Sequence, residues 1–100
     1  MNADGTWQLS IDSPVGKQNV SVFLITDGDQ LGGSVVNLSN NISSDIFDGQ
    51  VDGSTLRWKV KMQQLKLTLA FATTMQGDAM TGKVKAGIFG YFSVVGNRIS

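Results

Sequence analysis

Asp27-Gly28-Asp29-Gln30-Leu31, Asp52-Gly53-Ser54-Thr55-Leu56 and Gln76-Gly77-Asp78-Ala79-Met80 are three variants of one short theme. In each, an apolar residue follows the glycine by three positions and a valine by seven (Val35, Val60, Val84), and the glycines lie 25 and 24 residues apart. Glycine accepts positive φ at no steric cost, and Asp, Gln or Ser beside it favours a tight reversal. Each copy therefore reads as a turn between two antiparallel strands, one hairpin per repeat.

The segments on either side of these turns have the period of strands. Trp7, Leu9 and Ile11 alternate with polar residues, as do Leu56, Trp58, Val60 and Met62, then Leu65, Leu67, Leu69 and Phe71, and finally Met80, Gly82, Val84 and Ala86. Twelve glycines against one proline fit many short strands, and no segment of ten residues keeps a helical apolar stripe. The pattern predicts eight strands over 5–13, 18–26, 31–37, 45–51, 56–62, 65–74, 80–86 and 89–98. An eight-strand meander leaves two edges exposed unless it closes, so the expected fold is all-β, an antiparallel up-and-down barrel, with a two-sheet β-sandwich as the alternative. One hundred residues make a single domain spanning 1–100.

Composition narrows the chemistry. The chain has no His, Cys or Glu, which removes imidazole bases, thiol nucleophiles and Ser-His-Asp arrangements. Asp27-Gly28-Asp29 lacks further ligands at calcium-loop spacing, so no metal or cofactor is expected. No apolar run approaches the roughly 18 residues of a membrane span, and Met1-Asn2-Ala3-Asp4 has no basic or apolar leader character, so no membrane partner and a cytoplasmic location are expected.

In a meander, alternate connections fall on opposite rims. The three glycine turns and both termini share one rim; the other holds Ser13 to Lys17, Leu38 to Ser44, Gln63-Gln64 and Ala86 to Gly90. This second rim is varied and apolar at Val15, Ile42, Ile88 and Phe89, the character of a ligand mouth on a rigid scaffold.

Gly5-Thr6-Trp7 at the opening of the first strand, with Arg98 near the end of the last, resembles the calycins, the barrel superfamily of lipocalins and streptavidin-like proteins. That resemblance implies that the arginine packs over the tryptophan at the closed end of the barrel. The Gly-Thr-Trp opening, the Ser13-Pro14-Val15-Gly16 turn and the repeated Asp-Gly-x-x-Leu are also similar to small bacterial barrel domains, which implies a fold and no particular reaction.

Charge is neutral overall but uneven. Residues 1–56 hold seven Asp and one Lys, and residues 57–100 hold one Asp and seven Lys or Arg. Arg57, Lys59, Lys61, Lys66, Lys83 and Lys85 form a basic outer stripe. The outward positions between them are Thr68, Ala70, Ala72 and Thr81, which offer no stacking, so nucleic acid is not expected as a partner.

Strands two and eight are apolar on both faces. Phe23, Ile25, Phe92 and Val94 are assigned to the outside, where they would form a homodimer patch. The inward set comprises Trp7, Leu9, Ile11, Val22, Leu24, Val35, Trp58, Val60, Met62, Leu67, Leu69, Phe71, Val84 and Tyr91. A cavity toward the variable rim would be lined by Ile11, Val60, Met62, Leu65, Leu67, Ile88 and Tyr91 and would take a small apolar molecule. Asp45 with Tyr91 is the one conceivable acid-base pair, and no catalytic residue is assigned. The preferred function is a non-enzymatic small-ligand-binding barrel. The alternatives are a filled, homodimeric interaction module and a shape-driven cyclase or isomerase.

Overall fold

A computed structural model describes residues 3–13, 16–38, 41–62 and 67–100. The strands are β1 (Gly5–Ser13), β2 (Gly16–Asp27), β3 (Gln30–Asn37), β4 (Ile42–Asp52), β5 (Thr55–Met62), β6 (Leu67–Gln76), β7 (Ala79–Ala86) and β8 (Tyr91–Arg98). Each is antiparallel to the next, and β8 returns to β1 from Trp7–Arg98 to Asp12–Ser93, closing the barrel. Closure decides between the two expected architectures, because a sandwich has no such β1–β8 seam.

The glycine theme does more than reverse the chain. Gly28, Gly53 and Gly77 have φ of 63°, 61° and 59°, the left-handed conformation a two-residue hairpin turn requires. The residue after each glycine then ties its turn to a strand of the next hairpin. The carbonyls of Asp29, Ser54 and Asp78 accept from the amides of Val51, Met75 and Arg98, each at 2.8 Å. One repeated sequence thus produces one repeated stitch around this rim.

Large apolar side chains among the described residues pack into the interior. Trp7, Leu9, Leu24, Leu56, Trp58, Val60, Met80 and Val84 are fully buried, and Trp58 stacks on Phe71 with ring centroids 5.0 Å apart and planes 11° from parallel. Of the expected inward set, Ile11, Val22, Val35 and Phe71 are also buried, while Leu67 and Leu69 are half-buried.

Strand β8 is turned over relative to the expectation. Val94 is fully buried and Phe92 packs half-buried against the core, whereas Tyr91 and Val95 are exposed. The physical reason is the pairing with β1. Inward Trp7, Leu9 and Ile11 stand opposite Arg98, Gly96 and Val94, which fixes the even-numbered residues of β8 on the inner face. The proposed patch of four therefore does not exist: Phe23 and Ile25 stay exposed on β2, while Phe92 and Val94 belong to the interior.

Several boundaries also differ, with β2 beginning at Gly16 rather than 18 and β6 spanning Leu67–Gln76 rather than 65–74. Strand β4 begins at Ile42 rather than 45, and Asn41 N–H donates to Asn37 O at 2.8 Å, so the expected long connection is short. Strand β8 begins at Tyr91 because Gly87–Phe89 forms a 3-10 turn. Within β4 the register slips between Phe47 and Gln50 against Lys59 and Arg57, leaving Asp48 and Gly49 opposite Trp58; this is a β-bulge, with Asp48 at φ 52°.

Candidate functional site

The two ends of the barrel differ in construction. At the turn-bearing end, Trp7 is fully buried and its indole N–H donates to Ala3 O at 2.9 Å. The Arg98 guanidinium lies 4.7 Å from the Trp7 ring centroid. Its Nε meets Asp78 at 2.9 Å, Nη1 donates to Asp4 O at 2.8 Å, and Nη2 donates to Gly77 O at 3.3 Å. Arginine suits this place because a planar fork can stack on a ring and still donate sideways. Asp4 completes the cap: the Thr26 hydroxyl and amide donate to its Oδ1 at 2.7 and 2.6 Å, and these two bonds hold the Asp4 carboxyl below the ordinary aspartate range. The packing of Arg98 on Trp7 is the arrangement that the Gly-Thr-Trp opening and Arg98 together pointed to.

At the other end, apolar side chains face solvent. Leu38 and Ile42, at the β3–β4 connection, are 47% and 40% exposed, and Phe89, in the β7–β8 connection, is 68% exposed. In an eight-strand barrel these two connections stand on opposite sides of the same mouth. The 3-10 turn sits directly on β6, since a Cβ on Gly87 would come within 2.6 Å of Leu67 Cδ1.

The residues expected to line a cavity are distributed differently. Ile11 and Val60 are buried within the packed core, and Leu67 is half-buried under the 3-10 turn. Leu65 lies outside the described residues, as do the side chains of Met62 and Ile88. Tyr91 is 66% exposed on the outer face and is withdrawn from the lining, for the same reason that β8 is inverted. Asp45 and Tyr91 sit on β4 and β8, on opposite sides of the barrel, so they form no acid-base pair. Exposed Leu38 was missed, although its place beside a turn on the apolar rim was a usable signal.

A concave surface lies on the wall. It runs from Asp29, Gln30 and Leu31 past the β4 bulge at Asp48 to Arg57, Lys59, Ala70, Ala72, Lys85 and Tyr91, with Asp29, Asp48 and Asp52 on its β3–β4 side and Arg57, Lys59 and Lys85 on its β5–β7 side. Behind it, the Trp58 indole N–H is buried and has no acceptor among the described residues. Among those residues, no group of His, Cys, Asp or Glu could hold a metal ion, and no helix is long and apolar enough to cross a membrane. No protein-family model, curated protein or solved structure matches this chain.

Proposed function

We propose that this protein is a non-enzymatic binding barrel that takes a small apolar molecule at the rim formed by Leu38, Ile42 and Phe89. The observation that carries the reading is the asymmetry of the ends: one is plugged by Trp7, Arg98 and Asp4 and leaves Ile99 as its exposed large apolar side chain, and the other presents three large apolar side chains to water. Small-molecule sites are lined mainly by apolar side chains, and Leu38 and Ile42 stand across the mouth from Phe89. The calycin resemblance supports the same direction, since barrels of that kind close one end and bind at the other. Because the interior is already packed with Trp58, Phe71 and Val60, the ligand sits at the mouth rather than deep within the barrel.

The test is a titration with N-phenyl-1-naphthylamine, a neutral apolar dye whose emission rises on leaving water. Saturable enhancement that is insensitive to salt and lost in Phe89→Ser and Leu38→Ser is the expected result. Enhancement that is absent, or that survives both substitutions, overturns the reading.

A further inference from the structure

The outer wall of β5, β6 and β7 carries an independent feature. Arg57, Lys59 and Lys61 point outward from β5, and Lys83 and Lys85 from β7; all five are exposed. The register places Ala70 directly between Lys59 and Lys85, and Ala72 between Arg57 and Lys83. Four cations thus stand in two facing pairs across β6. Neighbouring strands are about 4.8 Å apart, so the two walls are roughly 10 Å apart at the backbone. The floor between them is low because Thr68, Ala70, Ala72 and Thr74 are the outward residues of β6. A trench of that width seats one extended chain along β6, and rings at its margins can stack on bases only where those bases are unpaired.

Two aromatic rings border this trench. Phe47 pairs with Lys59 on the β4 side and is 41% exposed; Tyr91 pairs with Lys85 on the β8 side, with Lys85 Nζ 5.9 Å from its ring centroid. The sequence pattern had argued against nucleic acid because the stripe offered no outward aromatic. The inversion of β8 supplies Tyr91, and the β4 register supplies Phe47. Among the described residues, the one ion pair on this face is Lys59 with Asp48 at 3.7 Å, both well exposed, which leaves the other cations available to an anion.

From this juxtaposition, facing cations across a low floor with exposed rings at both margins, we infer that the β5–β7 wall binds single-stranded nucleic acid. Phosphates lie in the trench along β6, and a base stacks on Tyr91. Charge complementarity selects a linear polyanion, and the rings select one that carries planar bases. Asp48 opposes the interaction by occupying Lys59.

Fluorescence anisotropy of a labelled oligothymidylate 12-mer tests this with the full chain. Saturable binding in about 20 mM salt is expected, weakening with salt at a log-log slope of about −2 to −3, for three or four phosphates at about −0.7 each. The double variant Lys83→Glu/Lys85→Glu should lose at least tenfold, and Tyr91→Ala about fivefold, stacking being the sequence-tolerant part of such binding. Asp48→Asn should tighten binding two- to threefold; Asn tolerates the left-handed conformation at that position, so the bulge is retained. Inorganic polyphosphate should compete, with its own affinity unchanged by Tyr91→Ala. Absence of saturable binding, equal affinity for a 12-base-pair duplex, or a Tyr91→Ala variant that binds the 12-mer normally would each overturn the assignment.

Discussion

The two ends of this barrel are made by the same meander and yet are opposites in chemistry. At the plugged end a set of polar groups is tied together: Trp7 N–H with Ala3, Arg98 with Asp78, Asp4 and Gly77, and Asp4 with Thr26. At the open end, Leu38, Ile42 and Phe89 are large, apolar and wet. A topology that treats its rims alike has thus been given one rim for holding the fold and one that is free to serve something else. On the proposed reading, stability and binding are separable along the barrel axis.

That separation predicts unequal costs for removing an aromatic ring. Trp7→Ala deletes a fully buried side chain and a cation-π partner, which should cost about 3–5 kcal/mol, a large share of the roughly 5–15 kcal/mol available to a domain. Phe89→Ala removes an exposed ring and should change stability by no more than about 0.5 kcal/mol. Urea unfolding followed by far-UV circular dichroism measures both. Comparable losses for the two variants would mean that the rims share the structural load, and the division drawn above would be wrong.

Arg98→Lys sharpens the comparison within the plugged end. A lysine keeps the charge but cannot present three nitrogens to Asp78, Asp4 and Gly77 while lying flat on Trp7. The side chain is only 18% exposed, so the lost bonds are not fully replaced by water, and a loss of about 1–3 kcal/mol is expected. The same denaturation series reads it out. A wild-type midpoint in Arg98→Lys would show that charge alone, and not the fork, closes this end.

The contrast between ends also explains which parts of the sequence were readable. Glycine turns carry their geometry in three or four residues, so Gly28, Gly53 and Gly77 announced the hairpins, and strict alternation announced which face of β1 and β5 is inside. In β8 the run Tyr91-Phe92-Ser93-Val94-Val95 is apolar on both faces, and local alternation has nothing to say about such a strand. Its parity is set from a distance, by Arg98 having to reach Trp7; counting back in twos from Arg98 gives Gly96, Val94 and Phe92 as inward. The β4 bulge was unreadable for another reason. Asp48-Gly49 looks like one more turn of the repeated type, and only the partners on β5 show that the chain runs straight on through it. The ligand-lining assignment suffered most, because it drew on Tyr91 and so inherited the inverted parity.

The smallest expected effect concerns Asp4, whose carboxyl is held below the ordinary aspartate range by the Thr26 hydroxyl and then the Thr26 amide. A carboxyl whose folded value is depressed contributes stability that is fully present above its unfolded value, near 3.9, and is lost as pH falls through the folded value. Asp4→Asn keeps an oxygen acceptor for Thr26 and removes the charge. The wild type should therefore melt slightly higher than the variant at pH 7, and the gap should close as pH is lowered through about 4 toward 2, because the other carboxyls titrate alike in both proteins and cancel in the difference. Thermal melts of the pair across that range measure it. Hydrogen exchange localises it: acid should first loosen the Thr26 amide, which donates to Asp4, while the amide of Ala86, which donates to Gly90 O at 2.9 Å on the opposite rim, keeps its protection. A pH-independent gap would assign the Asp4–Thr26 contact to neutral hydrogen bonding and take its charge out of the account of the plugged end.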